Sequence, residues 1–409
     1  MTLAPAQNDL DAKPRCTAEE LLLHARSIAA TLVDRQPETE QRTYYAEDVH
    51  AAFAGAGLYR LLVPKRYGGH EIGVDDYFRI TMAIARGCPS TGWCFTLGTS
   101  HALTVASYFS EQAQDELFAD GDFICPTTFK PEGVAGRDAD GGWIINGDFH
   151  FCSGAPYGTH YMGHAIARDG ESSAPMLFIA PRSTWTRLDD WGDQIGLKGS
   201  GSHSIRFDGG RIPARFTLPD TTLMTLDRRG GTIGSRLHGN PMYAGAIMSF
   251  FLLEIAALAV GIAQGALDAY GVLMTSKTTP FPPFRPRKDD PDYQRWFGTA
   301  MGKIATAEAA VINAAQQWTR LAADDEFTGY HDLRLVTIAK EAIRLCWDAV
   351  QESLVRSAGS TSMRTGQTIE RIFRDMATLH AHNGVVSLVE LATTGVAQSH
   401  FDPDASGEA

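Results

Sequence analysis

Three polar side chains, far apart in the chain, are suited to hydrogen-bond and proton chemistry. Ser153 ends the run Phe149-His150-Phe151-Cys152-Ser153-Gly154, His101 follows Gly98-Thr99-Ser100, and His382 stands in His380-Ala381-His382-Asn383-Gly384. A serine hydroxyl offers one donor and two acceptor pairs, and histidine can take or share a proton near neutral pH. Strand alternation predicts Phe149, Phe151 and Ser153 on one face, so that a hydroxyl emerges at the end of an aromatic row where Gly154 lets the backbone turn away. The plainer alternative is a strand that ends in a Ser-Gly turn. His380 precedes His382 by two residues, about 200° round a helix, so the pair cannot share a pocket and His380 is read as structural. His160 and His164 have metal-ligand spacing, but without a companion Cys or carboxylate motif they too read as structural, and no metal is expected. The glycine-rich stretch 196–202 has backbone N–H groups for a phosphate, yet it lacks the strand-to-helix context of a dinucleotide loop. No nicotinamide-binding fingerprint is visible elsewhere.

The elements that must position these residues follow from local pattern. Residues 17–121 read as an α-helical domain that opens with the capping box Thr17/Glu20, and residues 1–16 as a flexible tail. One helix is expected over 90–109, with a short one capped by Ser110. Residues 122–217 change to short strands punctuated by Gly, Asp and Pro. Asp140-Gly141-Gly142 and Asn146-Gly147 both predict turns there. Residues 218–409 return to helices, about 242–275, 291–324, 331–357 and 366–398, joined as an antiparallel four-helix bundle. The proline-rich stretch 278–288 is either a mobile loop over a site or a stiff connector.

Bulk composition narrows the function. The 409 residues are 44% hydrophobic, ample for a large core, and carry a net charge of −12 without a Lys/Arg run, which argues against a nucleic-acid partner. The six cysteines show no CxxC spacing and read as reduced core thiols. The first residues lack the order of a secretion signal, so a cytoplasmic location is expected. Residues 244–263 are apolar enough to pass for a membrane span, but Glu254 near the middle points to a buried bundle helix instead.

Several motifs resemble the acyl-CoA dehydrogenase superfamily, in the order that family has them. The segment from Cys125 through the glycine hairpin to Phe151-Cys152-Ser153-Gly154 is similar to its middle-domain signature. The Phe-x-Ser-Gly ending resembles the flavin-dependent monooxygenase branch, which includes the oxygenase components of 4-hydroxyphenylacetate and secosteroid hydroxylases. Ala85 to Trp93 resembles the small-residue turn of that branch, and Trp191 to Ser202 its Gly-Met-Arg-Gly-Thr-Gly-Ser segment. Arg211-Ile212-Pro213 resembles the Val-Pro that closes the β domain, and Ile369 to Asp375 the Leu-Gln-Arg-x-x-Arg-Asp helix. The resemblance implies a helical N-terminal domain, a β-sandwich or barrel-like middle domain and a C-terminal four-helix bundle, assembled as a homotetramer.

It also implies a two-component monooxygenase that hydroxylates a small aromatic or polycyclic substrate through a flavin C4a-hydroperoxide. Reduced flavin, FMNH2 or FADH2, would come from a separate NAD(P)H:flavin reductase, with molecular oxygen as co-substrate. N- or S-oxygenation would use the same chemistry. In that pattern Ser153 faces flavin N5, and His382 and His101 act on the substrate. Trp93, Thr127, Thr128, Phe129, Lys198, Ser200, Ser360, Thr361 and Arg371 contribute to flavin binding. The chain departs from the dehydrogenases where they place Tyr-Glu-Gly, since His382-Asn383-Gly384 stands there and Asn cannot remove an α-proton. Glu254, in the first bundle helix, is the base that a dehydrogenase or oxidase alternative would need.

Overall fold

The computed structural model describes residues 16–402 apart from residue 171. The expected tail, Cys16 aside, lies outside them. The chain begins as helices α1 (Ala18–Leu32), α2 (Gln36–Arg42), α3 (Glu47–Gly55), α4 (Val74–Gly87), α5 (Pro89–Thr99), α6 (Ala102–Tyr108) and α7 (Glu111–Leu117). The capping box forms, with Thr17 N donating to Glu20 Oε2 at 2.8 Å and Glu20 N donating to Thr17 Oγ1 at 3.2 Å. The helix expected over 90–109 is two. Thr99 Oγ1 turns back onto the Phe95 carbonyl at 3.0 Å, a bond of the kind that competes with helical hydrogen bonding. At the break the Gly98 carbonyl accepts Cys125 N–H at 2.6 Å, and this bond seats the first residues of the β region against α5.

The middle region is one seven-stranded sheet of β1 (Val134–Arg137), β2 (Trp143–Phe149), β3 (His160–Asp169), β4 (Ser172–Pro181), β5 (Thr186–Arg187), β6 (Ile205–Ile212) and β7 (Thr217–Pro219). Its order is β5-β6-β2-β1-β3-β4-β7, antiparallel except for the β1–β3 pair. The Asp-Gly turn is where the pattern put it, with Gly141 at φ 82°. Asn146-Gly147 does not turn. The strand runs on to Phe149, and its ladder with β6 slips between Ile145 and Asn146, a bulge. Gly147 takes φ 132°, and a Cβ there would stand 2.6 Å from Gly133 Cα, so the same Gly that suits a hairpin serves a bulge against a neighbouring backbone. Phe149, Tyr161, Phe178 and Phe207 meet edge-on or tilted at ring separations of 5.3–5.9 Å and form the aromatic core that fixes the end of β2.

Helices α8 (Ile233–His238), α9 (Ile247–Ser276), α10 (Pro291–Ala323), α11 (Gly329–Asp348), α12 (Arg356–Ala358), α13 (Thr368–His380) and α14 (Val389–Phe401) complete the chain. α9 is apolar enough to cross a membrane, but 89% of its most apolar stretch is buried inside the protein. Gly261 and Gly265 of α9 lie against the Met82 and Arg86 carbonyls of α4, a closeness no side chain would allow. The helices expected over 331–357 and 366–398 are not regular. Wide turns occur at Ala349–Val355 and Gly384–Leu388, and the chain leaves the helix at 381–382, so His382 sits in a break. The angular comparison of His380 with His382 on one helix therefore does not apply. The 278–288 connector is braced from within, with Thr279 N–H on the Arg285 carbonyl at 2.9 Å and Arg287 Nη1 on the Ala358 carbonyl at 2.9 Å, and has the bonding of a stiff link.

Candidate active site

Beyond β2 the chain turns yet stays bonded to the 201–203 segment, Cys152 N–H to the His203 carbonyl and Gly154 N–H to the Gly201 carbonyl, each at 3.2 Å. The predicted alternation fails in between. Phe151 takes a left-handed φ of 61° and turns outward, 68% exposed, with its ring 5.9 Å from Trp191. Ser153 faces inward. Its Oγ accepts the Trp93 indole N–H at 3.0 Å and lies 2.7 Å from Ser202 Oγ, which is 2.8 Å from Ser200 Oγ. Gly154, at φ 96°, presses on Cys94 and Gly98 of α5, where a Cβ would meet their backbone at 3.1–3.3 Å. Ser202 was not among the predicted site residues. Its signal was the Ser200-Gly201-Ser202 alternation, which is ambiguous until the pairing partner of that extended run is known.

The histidines differ in which nitrogen is committed. A carbonyl, that of Cys125, lies 2.7 Å from His101 Nδ1, so Nδ1 carries the proton of the neutral ring and Nε2 is the bare acceptor. At His382 the backbone N–H of Gly384 donates to Nδ1 at 3.2 Å, so the neutral ring carries its proton on Nε2 and is a donor. Burial pulls both rings down to a pKa of about 4. Trp93 meets His382 edge-on at 5.2 Å. α9 links the two histidines: Phe251 packs on His101 at 5.1 Å and on Phe129 at 5.7 Å, and Ile255, one turn further, faces Gly384. His380 turns elsewhere and stacks on Trp347 at 4.7 Å.

The other predicted residues are more dispersed. Thr127 and Thr128 spend their hydroxyls inside the sheet, on the Met162 carbonyl at 2.9 Å and on the Tyr161 hydroxyl at 2.6 Å, which leaves their backbone beside Phe129. Lys198 is half-buried, next to Ser200 in the 191–202 loop. Arg371 is buried with Glu40 at 3.1 Å, in a network where Arg374 also holds Glu40 and Glu370, each at 2.6 Å. Ser360 and Thr361 are exposed in a turn ahead of α13, with the 13-residue helix between them and His382 in the chain. The structure thus links Ser153 and His382 through Trp93, which touches both, with Ser200 joined through Ser202, and shows no contact of Ser360 or Thr361 with this group. Glu254 is buried among α4, α5 and α9 beside Ser100, where desolvation raises its pKa well above the usual carboxylate range, and its Oε2 has no hydrogen-bond partner among the described residues. Both ring nitrogens of His164 are used within the protein, on the Thr128 carbonyl at 2.8 Å and Leu223 N–H at 3.0 Å.

Comparison with known proteins agrees with this architecture. The N-terminal domain model of acyl-CoA dehydrogenase matches residues 17–120 and the C-terminal domain model residues 253–387, together more than half of the chain. The oxygenase subunit HsaA of a flavin-dependent monooxygenase from Rhodococcus jostii is 28% identical, over 88% of this chain and 92% of that protein. The oxygenase component of p-hydroxyphenylacetate 3-hydroxylase from Acinetobacter baumannii is 25% identical, over 90% of this chain and 86% of that protein. Among solved structures, XiaF from Streptomyces sp., in complex with FADH2 and glycerol, superposes with a TM-score of 0.85 at 21% identity, covering 94% of this chain and 95% of that one. With both terminal domain models matched in order around the sheet, the chain belongs to the acyl-CoA dehydrogenase family.

Proposed function

We propose that this protein is the oxygenase component of a two-component monooxygenase, which hydroxylates a small aromatic or polycyclic substrate with reduced flavin, FMNH2 or FADH2, and molecular oxygen. A separate NAD(P)H:flavin reductase would supply the flavin to a cytoplasmic homotetramer with no metal. The observation that carries the reading is the Ser153 hydroxyl, held between the Trp93 indole and Ser202, with His382 packed on the same Trp93 ring.

The residues present fit a flavin. Phe151, two residues before Ser153, is 68% exposed and Ile195, in the loop that leads to Ser200, is 66% exposed, apolar surface that a planar ring system would cover. Lys198, Ser200 and the backbone around Thr127 and Thr128 offer polar contacts to it, and Phe129 an apolar edge. Ser360, Thr361 and Arg371, more remote, would meet the extended part of the cofactor. When bound, reduced flavin supplies the activation of oxygen that no side chain can provide.

The chain's own residues then divide the remaining work. Ser153 accepts from Trp93, and when it donates its proton to Ser202 one acceptor pair is left, suited to the N5–H that only the reduced flavin presents. His382, neutral with its proton on Nε2, would donate to a substrate oxygen and stabilise charge there. His101 keeps a bare Nε2 to share a substrate proton. Trp93, Phe251 and Phe129 keep water out. N- or S-oxygenation would draw on the same arrangement. An acyl-CoA dehydrogenase or oxidase using Glu254 is disfavoured because that carboxyl is enclosed beside Ser100.

The test is anaerobic titration with FMNH2 and FADH2, then oxygen pulses with phenols, indoles, amines and thioethers, read by mass shift. Oxygenated product is expected only when reduced flavin is supplied, with NADH alone inactive. Turnover with NADH in the absence of any reductase, or bleaching of bound oxidised flavin by an acyl-CoA, would overturn the reading.

A further inference from the structure

Three hydroxyls stand in a row that starts at the Trp93 indole, and counting their protons gives the row a direction. Ser153 Oγ lies 2.7 Å from Ser202 Oγ, which lies 2.8 Å from Ser200 Oγ, and all three side chains are buried. Neither Ser202 nor Ser200 makes another side-chain hydrogen bond among the described residues. Their backbone is held from several sides. Ser200 N–H donates to the Leu197 carbonyl at 3.0 Å, Gly201 N–H to the Thr43 carbonyl at 2.8 Å, and the His203 carbonyl accepts Cys152 N–H at 3.2 Å. A Cβ on Gly201 would meet Pro156 and Cys94 Sγ at 3.0–3.2 Å, so the segment cannot shift towards α5. With the oxygens fixed in this way, what stays free is the rotation of each O–H.

An indole N–H only donates, so Ser153 accepts from Trp93 at 3.0 Å whatever else it does. Each hydroxyl brings one proton, and the two links of the row use two of the three. The third must leave the row. If it leaves from Ser153, the row runs from Ser200 through Ser202 and Ser153 is a donor to whatever lies in front of it. If it leaves from Ser202 or Ser200, Ser153 donates along the row and keeps one acceptor pair free. A ligand atom before Ser153 that accepts selects the first arrangement, and one that donates selects the second.

Flavin N5 changes between these two kinds of atom, a bare acceptor when oxidised and an N–H when reduced. We propose that Ser202 is a positioning residue through which the site prefers reduced flavin: it takes the Ser153 proton, so that Ser153 can accept N5–H. This rests on the monooxygenase reading, which sets Ser153 against N5. Oxidised flavin has no need of Ser202, because Ser153 then gives its proton to N5.

The test compares the affinity of the full chain for FMN and FAD with that for FMNH2 and FADH2 under anaerobic titration, in the parent and in Ser202→Ala. With reduced flavin bound, the variant leaves the Ser153 proton without an acceptor, and a buried unpaired donor costs more than the lost hydrogen bond was worth. Affinity for reduced flavin should fall roughly tenfold while that for oxidised flavin holds, and the midpoint potential of the bound flavin should become more negative by about 30 mV. Equal loss for both oxidation states is what a packing role alone would give, and it would overturn the proposal, as would an unchanged preference.

A double-mutant cycle separates action through Ser153 from any other route. Once Ser153→Ala has removed the proton, adding Ser202→Ala should cost reduced flavin nothing further, and losses that add would overturn the assignment. Should Ser202→Ala not fold, Ser202→Cys, whose thiol is a weak acceptor, should narrow the preference in the same sense, and an unshifted preference there counts equally against it. If the parent binds flavin in neither oxidation state, the monooxygenase reading fails and the role of Ser202 with it. If flavin binds and only the Ser202 result fails, the reading stands without this role.

Discussion

At the scale of single residues, hydrogen-bond direction assigns the roles. Ser153 already accepts from Trp93, so replacing its hydroxyl should affect the reaction more than the fold. Ser153→Ala is expected to fold and to bind reduced flavin within a few-fold of the parent, while diverting oxygen to hydrogen peroxide at the expense of product. An unchanged ratio of product to NADH consumed in the reductase-coupled assay would show that the hydroxyl does not face N5. For His382 the commitment of Nδ1 to Gly384 makes the ring a donor. His382→Ala should lose roughly 10²–10³ in turnover, as when one donor to a developing oxyanion is removed, and His382→Gln, whose amide can still donate, should recover part of it. Equal loss in both variants would favour a base instead, and loss in His380→Ala alone would move the site to the other histidine.

Elements are joined at this site by groups that lie outside it. The 191–199 loop is docked on α13 through Leu197 N–H, which donates to the buried Asp375 carboxyl at 2.6 Å, and through Arg374, which donates to the Ile195 carbonyl at 2.7 Å. Gly196 lies so close to the Arg374 carbonyl that no side chain fits between loop and helix. Burial pushes Asp375 up to a pKa of about 7, despite the Leu197 hydrogen bond that opposes the rise. The native state therefore holds this proton more tightly than the unfolded chain does. The contribution to stability is fully present below pH about 4 and is lost as pH rises to about 7. Asp375→Asn, which keeps the acceptor and cannot ionise, should match the parent near pH 4 and gain on it steadily up to pH 7, with no further gain above. Urea midpoints for the two chains across that range measure it, and a constant difference would refute the shift.

For the molecule as a whole, buried histidines carry the opposite sign. His101, His160 and His382 are each held neutral by burial, with pKa values near 4 against 6.5 when unfolded. The unfolded chain binds the additional protons, so their contribution is present above pH 6.5 and is lost as pH falls towards 4. His160 stacks on Phe123 at 5.0 Å in the β region, away from the reacting groups, and isolates the effect. His160→Gln should be less stable than the parent at pH 7.5, through lost packing, and should close the gap as pH falls to 5; parallel stability curves would contradict this. Because buried carboxyls and buried histidines act in opposite directions over the same interval, the variants report what the parent's net slope conceals.

How much of this was legible in the sequence depends on the range of the interaction. Cap and turn chemistry is local, so the Thr17/Glu20 box, the Ser110 cap and the Asp140-Gly141-Gly142 turn could be read directly, and helical periodicity marked both helical regions because each face repeats within a few residues. Motif order was enough to identify the family, and Ser153 and His382 as residues to examine. Local pattern erred where a distant backbone intervened. Asn146-Gly147 is a bulge because Gly133 passes beside it, and the helix expected over 90–109 breaks at the point where the Gly98 carbonyl receives Cys125. Phe151 turns outward against the strand alternation, at a left-handed φ that no glycine or asparagine at that position marks. Which histidine donates and which accepts was decided by the Gly384 N–H and the Cys125 carbonyl. The sequence by itself determined which residue types are present, their elements and their family, because those rest on covalent neighbours and periodicity. Only the tertiary structure decided the tautomers and the enclosure of Glu254, because each depends on which groups from remote segments come within hydrogen-bond reach.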